Sequence, residues 1–181
     1  MDKLKYILRD KGTNISEKVT EVDVLISEPE PKTRAEFLKY SQKITLDPNT
    51  AYNDLLLSEG NRKVTLLNQP QSYPDHPDRF TEWFQVLCRE SLTGRCYWEV
   101  KWRGGGVDVA VSYKNIRRAG GSNQCLFGGN DKSWSLYRDS KCYIFCHSYI
   151  QTPLSGPDSS RVGVYLDPEQ VYSPFYSILN S

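Results

Sequence analysis

An all-β sandwich is the fold class this sequence predicts, on three observations. The run Tyr97–Trp102 alternates large apolar residues with Glu99 and Lys101, and Val107–Tyr113 resumes a β-compatible pattern after Arg103 and three glycines. The pair therefore reads as an antiparallel hairpin turned at Gly104-Gly105-Gly106. Similar short runs recur down the chain between turn residues, and helical periodicity is limited to brief N-terminal segments, which favours a sandwich over alternating β/α units. Such a hairpin needs a second sheet to cover it, so the connecting loops become the expected functional surface.

Element by element, Leu4 to Leu8 suggests a short amphipathic helix and Val19 to Ile26 a loose extended segment, both interrupted by Glu28-Pro29-Glu30-Pro31. Thr33 can cap a helix running through Glu36 to Tyr40, because Glu36 lies three residues after it and Phe37, Leu38 and Tyr40 supply apolar contacts. Ile44-Thr45-Leu46 predicts a brief strand ended by Asp47-Pro48-Asn49-Thr50. Leu55–Leu57 and Val64–Leu67 pair across Ser58-Glu59-Gly60-Asn61. Pro70, Pro74 and Pro77 mark a surface loop before the β-compatible run Trp83–Cys88. Further strands are expected at 97–102, 107–113, 134–138, 142–148, 161–166 and 174–178. The expected core comprises Leu46, Leu56, Val64, Leu66, Phe84, Val86, Tyr97, Trp98, Val100, Val109, Val111, Trp134, Leu136, Tyr143, Phe145, Val162, Val164 and Leu166, with the inward set at each strand left to its register.

Charge narrows the function. The 181 residues carry 23 basic and 22 acidic side chains, mixed along the chain for a net charge of +1. A protein that reads a nucleic-acid backbone presents a concentrated basic surface, which Arg117-Arg118 alone does not make, so no nucleic-acid partner is expected. No apolar run is long enough to span a bilayer as a helix, and no apolar signal segment follows Met1. Five cysteines, an odd number, suit a reducing compartment, so cytoplasmic residence is the expectation.

Chemistry-bearing residues are sparse. His76 and His147 are the only histidines. Cys142, Cys146 and His147 make the nearest thing to a metal-ligand group, but in an extended strand residues 142 and 146 share a face that 147 does not, and ordinary packing is the simpler reading. No metal and no cofactor is expected. A Cys-His catalyst lacks any nucleophile motif, so the chain is read as a non-enzyme, with a cysteine-dependent enzyme as the distant alternative. The glycine triplet lacks the Lys and Ser or Thr of a phosphate loop and reads as a turn. Trp98 and Trp134 are assigned to the scaffold, whereas Trp102 and Tyr137 fall at strand ends near loops, where aromatic rings serve protein recognition.

One resemblance sharpens this. The ordered segments Leu46-Asp47-Pro48-Asn49-Thr50-Ala51, Leu57-Ser58-Glu59-Gly60-Asn61-Arg62, Arg79-Phe80, Val86-Leu87-Cys88-Arg89-Glu90, Gly94-Arg95-Cys96-Tyr97-Trp98-Glu99-Val100, Asn130-Asp131-Lys132-Ser133-Trp134-Ser135-Leu136 and Arg161-Val162-Gly163-Val164-Tyr165-Leu166-Asp167 closely resemble the PRY-SPRY, or B30.2, family over residues 33–178. Glu30 to Leu38 together with Leu57 to Arg62 is similar to fish members in particular: tripartite-motif proteins, NACHT-containing immune receptors and stonustoxin-like cytolysins.

The resemblance implies a bent antiparallel β-sandwich whose variable loops bind a protein ligand. It divides the chain into a leader or linker (1–32), a PRY segment (33–80) and a SPRY segment (81–181) expected to lack its last β sequence, as a truncated domain, an unusual isoform or a domain completed by a partner. Target selection in innate immunity or the ubiquitin system is the implied role, and an assembly or target-contact domain of a fish cytolysin is the alternative. In antibody-binding relatives, aromatic positions just after the tryptophan matched by Trp134 line the ligand pocket, which makes Tyr137 and Asp139 candidate contacts. The loops at 69–79 and 115–123 add Tyr73, Asn115 and Arg118, and Trp102 completes the set. No oligomeric state is assigned.

Overall fold

The computed structural model describes residues 30–139, 141–156 and 159–168. The helix at Leu4–Leu8, the extended segment at 19–26 and the strand at 174–178 lie outside the described residues.

Thr33 starts helix α1 (Arg34–Phe37) as expected: its hydroxyl accepts from the Glu36 amide, and the Glu36 carboxylate accepts from the Thr33 amide, a complete capping box. A 3₁₀ turn (Leu38–Tyr40) follows. Strands β1 (Leu55–Ser58) and β2 (Lys63–Leu66) form the predicted hairpin, with Glu59, Gly60 and Asn61 all at positive φ in its turn. Ile44-Thr45-Leu46 forms no strand; only an isolated bridge joins Leu46 to Cys88.

The two central runs are strands β3 (Cys96–Lys101) and β4 (Val107–Ser112), but they do not form a hairpin. Strand β3 pairs antiparallel with β8 (Arg161–Leu166), while β4 pairs with β5 (Ser133–Arg138), and β5, β6 (Tyr143–His147) and β7 (Ile150–Leu154) continue as a meander. The glycine segment therefore carries the chain from one sheet to the other. Tight reversal and sheet-to-sheet crossover ask the same of glycine, so sequence alone could not separate them.

Register fixes which side chains meet. Val109, Leu136, Tyr143, Val162 and Val164 form the buried centre, with Trp98, Val100, Val107, Val111 and Phe145 packed around it, so the faces of the two sheets enclose one core. On the other face of β3–β8, Phe37, Tyr97 and Tyr165 form a second buried cluster, joined by Tyr40. Four expected core residues are instead exposed: Leu56, Val64, Leu66 and Phe84. Among the described residues the β1–β2 hairpin has no strand neighbour; it buries Leu55, half-buries Leu57 and leaves Leu56, Val64 and Leu66 exposed.

Strand β7 has no counterpart among the expected strands, because Pro153 argues against a strand interior. Among the described residues it is an edge strand, and all five of its residues are exposed. Its two-residue connection to β6 makes His147 and Ile150 the hydrogen-bonded closing pair, so Gln151 and Pro153 turn their backbone groups outward. Proline there removes a donor from the open edge without costing a ladder bond.

Candidate functional site

The outer face of the four-stranded sheet is covered at one end and open at the other. At the covered end the 123–130 loop lies on β5 and β6. The Gly128 amide donates to the Ser133 hydroxyl (2.8 Å), that hydroxyl donates to Asn130 Oδ1 (2.9 Å), and the Cys146 thiol donates to the Gly128 carbonyl (3.3 Å). Ser133 and Ser135 are small enough to admit the loop, and both are buried beneath it.

At the open end the register sets Asp108 of β4 opposite Tyr137 of β5, with Ile144 of β6 next in the row. The Tyr137 hydroxyl donates to Asp139 Oδ2 at 3.4 Å, and its ring lies against Gly106, where a Cβ would fall 2.9 Å from the phenolic oxygen. Asp139 is held in place by its own turn: its Oδ1 accepts from the amides of Lys141 (2.7 Å) and Cys142 (2.8 Å). Those two amides keep its carboxylate below the usual range. Asp108 is exposed as a residue, yet its carboxylate sits low against the sheet, and lost hydration pushes its pKa up to about 6 against the pull of a hydrogen bond to Ser135. Desolvation, then Asp139 and more distantly Asp108, raise the Tyr137 phenol, which remains a proton donor at neutral pH. Among the described residues no ion pair joins Asp108 or Asp139 to a Lys or Arg. The corner is an exposed aromatic ring beside two carboxylates with no basic partner among the described residues.

A linkage consequence can be measured. Because the folded state holds the Asp108 proton more tightly than the unfolded chain does, its contribution to stability is greatest below about pH 4 and is lost as pH rises to about 6. Asp108→Asn should remove that slope, leaving the variant equal to or more stable than the parent above pH 6, with a gain under about 1 kcal/mol because water screens an exposed residue. Urea denaturation between pH 4 and 7 checks it.

Five of the six residues singled out from sequence fall into two groups, separated by the length of β4, and Tyr73 lies outside both, against β1. Trp102, Tyr137 and Asp139 share the end where β3 leaves, β4 begins and β5 finishes; the Trp102 amide donates to the Ser160 carbonyl there. Asn115 and Arg118 lie on the 113–132 connection at the far end, about 17 Å away along the strand. Arg118 acts as a brace: its guanidinium donates to the carbonyls of Ile116 and Lys114 and lies 5.0 Å over the Phe80 ring. Tyr73 is likewise structural, its hydroxyl donating to the Leu55 carbonyl and accepting from the Leu57 amide, with Arg79 stacked on its ring. Asn115 accepts from the Lys132 ammonium at 3.5 Å. Asp108 was missed by sequence reading. It stands inside an apolar run, and only the pairing of β4 with β5 shows that it shares a face with Tyr137.

Four of the thiols are shifted away from the thiolate form. Burial pushes Cys96 up to about 11, and desolvation also raises Cys88, Cys142 and Cys146, opposite to what a thiolate nucleophile needs. Among the described residues no His, Cys, Asp or Glu group is arranged to hold a metal ion.

Residues 44–92 match the model of the SPRY-associated domain, PRY. The crystal structure of the TRIM65 PSpry domain superposes with a TM-score of 0.67 at 27% identity, covering 84% of this chain and 90% of that one. The chain belongs to the PRY-SPRY, or B30.2, family. Tripartite motif-containing protein 16 of Mus musculus is 38% identical over 98% of the chain, and stonustoxin subunit beta of Synanceia horrida 37% identical over 81%. A stonustoxin structure superposes with a TM-score of 0.68 at 36% identity, covering 74% of this chain and 22% of that one. This PRY-SPRY chain spans about a third or less of those curated relatives, 33% and 21% of their lengths. The family is one of protein-interaction modules, and no helix among the described residues is long and apolar enough to cross a membrane.

Proposed function

We propose that this PRY-SPRY domain is a non-catalytic recognition module that takes a protein ligand at the Asp108–Tyr137–Asp139 corner, with a basic side chain of the ligand stacked on Tyr137 and paired to the carboxylates. The observation that carries the reading is the register of β4 with β5, which sets Asp108 opposite the exposed Tyr137 ring beside Asp139, two acids with no basic partner among the described residues. A cation over an aromatic face is attracted by the ring quadrupole, and an adjacent carboxylate adds a charge-assisted hydrogen bond. Target selection by a cytoplasmic protein of innate immunity or the ubiquitin system is the context we assign, supported by the resemblance to tripartite-motif proteins.

Panning a displayed library of random peptides against the immobilised chain tests the site. The parent should enrich Arg- or Lys-containing sequences, and Tyr137→Ala or Asp108→Asn should each weaken the selected peptides about tenfold, the scale of one interface anchor. Equal binding by both variants, with folding verified by circular dichroism, would sink the assignment.

A second reading rests on the similarity to stonustoxin subunits, which matches that to the tripartite-motif relative in degree. There the domain would assist assembly or target contact beside a pore-forming architecture. Sequencing the gene on both sides of this segment separates the two, since a neighbouring pore module would select the toxin context.

A further inference from the structure

We propose that two copies of this chain pair through the outer edge of strand β2, Val64 and Leu66 of each joining the two hairpins into one antiparallel four-stranded sheet. The hairpin's own hydrogen bonds fix which backbone groups are left over. On β1 the Tyr73 hydroxyl takes the groups that point away from β2, accepting from the Leu57 amide (3.3 Å) and donating to the Leu55 carbonyl (2.8 Å). Leu56 and Ser58 therefore face β2, and their partners Thr65 and Lys63 face β1. The next bond along agrees, the Leu67 amide donating to the Asp54 carbonyl at 2.9 Å. Alternation then directs the amides and carbonyls of Val64 and Leu66 outward. Among the described residues none of those four groups is hydrogen-bonded, and no strand lies beside them.

This edge lacks the devices that blunt two others. The β1 edge is closed by Tyr73 and the β7 edge carries Pro153, whereas β2 has neither cap nor proline. Val64 and Leu66 share a face, 44% and 53% exposed, while Lys63, the strand's one charge, points to the opposite face and pairs with Glu59 at 3.0 Å. An apolar edge with open backbone groups is a template for another strand. Strand β2 is its own complement. In antiparallel pairing about a two-fold axis at Thr65, Val64 meets Leu66 of the second copy and Leu66 meets its Val64, so every outward group is bonded and each valine packs on a leucine. Moving the axis to Val64 or Leu66 leaves one outward residue of each copy opposite a position beyond the partner's β2. The contact is the same on both copies, so it closes at two. A four-residue strand buries far less than the roughly 800 Å² per partner of a standard interface, so the pair exchanges with monomer and forms as concentration rises.

Sedimentation velocity of the full chain over a concentration series should show monomer giving way to dimer. Val64→Pro, which removes an outward amide but no bond of the β1–β2 ladder, should weaken association about tenfold or more. Val64→Lys keeps the amide, places a charge on the edge and should weaken it by about as much. Thr65 reports the register, because its two copies face each other as the closer antiparallel pair, about 4.5 Å apart between Cα atoms and within disulfide reach. Thr65→Cys treated with oxidised glutathione should give a covalent dimer on a non-reducing gel, about tenfold faster than Lys63→Cys, whose two copies stand about 13 Å apart along the strands. The parent treated in parallel accounts for the native thiols. A parent that stays monomeric at every attainable concentration, a dimer as strong in both Val64 variants as in the parent, or equal cross-linking at positions 65 and 63 would each overturn the proposal.

Discussion

Tyr97→Ala should destabilise the domain by about 3–5 kcal/mol, the range for deleting a well-packed aromatic ring, and thereby remove much of the stability of an ordinary domain. The ring is 1% exposed, stacks on Phe37 at 5.5 Å between centroids, and lies over Gly163, where a Cβ would fall 2.6 Å from its hydroxyl oxygen. It also seats the N-terminal helix, because Phe37 closes edge-on against Tyr165 at 5.1 Å and Tyr40 against the same ring at 5.5 Å. Deleting it opens a cavity between α1 and the β3–β8 sheet. Tyr97→Phe separates packing from polar chemistry. The hydroxyl donates to the ionised Glu99 Oε1 at 2.8 Å, and losing that bond alone should cost about 1.5–3 kcal/mol.

Glu99 adds an independent check on the same region. Its carboxylate accepts from Arg34 Nε at 2.6 Å and Arg161 Nη1 at 3.1 Å, and the hydrogen bond from Arg34 leads the causes that hold its pKa below the usual range. Its contribution is present above the unfolded glutamate pKa and is lost as acid takes pH down through the lower folded value. Gly163→Ala should be strongly destabilising in the parent but much milder alongside Tyr97→Ala, since the atoms its Cβ would strike are then gone. Additive urea-denaturation energies for the pair would contradict the packing described.

How much was legible beforehand follows from what each signal depends on. The helix cap at Thr33–Glu36 and the turn at Ser58–Asn61 are local patterns, and both formed as read. The strands at 97–102, 107–113 and 161–166 were located within a residue because alternation and β-branched runs are properties of the segment itself. Pairing depends on residues far apart in sequence, so the hairpin assigned to β3 and β4 was wrong even though both strands exist. The same limit explains the site. Tyr137 and Asp139 were proposed through resemblance, Asp108 joins them only through the register, and Arg118 and Tyr73 bear recognition-type side chains whose hydrogen-bonding groups hold backbone carbonyls, of the 113–132 connection and of β1 respectively. Arg138 is the sharpest case. A charged residue inside a strand reads as solvent-facing, yet it is 2% exposed, with its guanidinium 4.0 Å over the Tyr143 ring.

Gly128→Ala should cost about 2–4 kcal/mol, the sum of a left-handed backbone penalty and a clash in a packed region. Gly128 has φ +76°, and a Cβ there would lie 2.5 Å from the Ser135 hydroxyl and 3.0 Å from both Cβ and the carbonyl oxygen of Cys146. The serine can rotate or be shortened; the Cys146 backbone belongs to a strand paired on both sides and cannot move freely. Ser135→Gly should therefore restore only part of the loss. The damage should also travel to a named place, because the Gly128 carbonyl accepts from the Tyr149 amide and the Cys146 thiol. Hydrogen exchange at Tyr149 should accelerate together with that at the Gly128 amide, which is bonded to Ser133. Gly105→Ala is the control: nothing lies within 4 Å of its Cβ position, its backbone is outside the left-handed region, and its effect should stay within about 0.5 kcal/mol. Equal thermal stability of the Gly128 and Gly105 variants would mean that the 123–130 loop does not press on β5 and β6, and that the outer face of the sheet is open along its whole length.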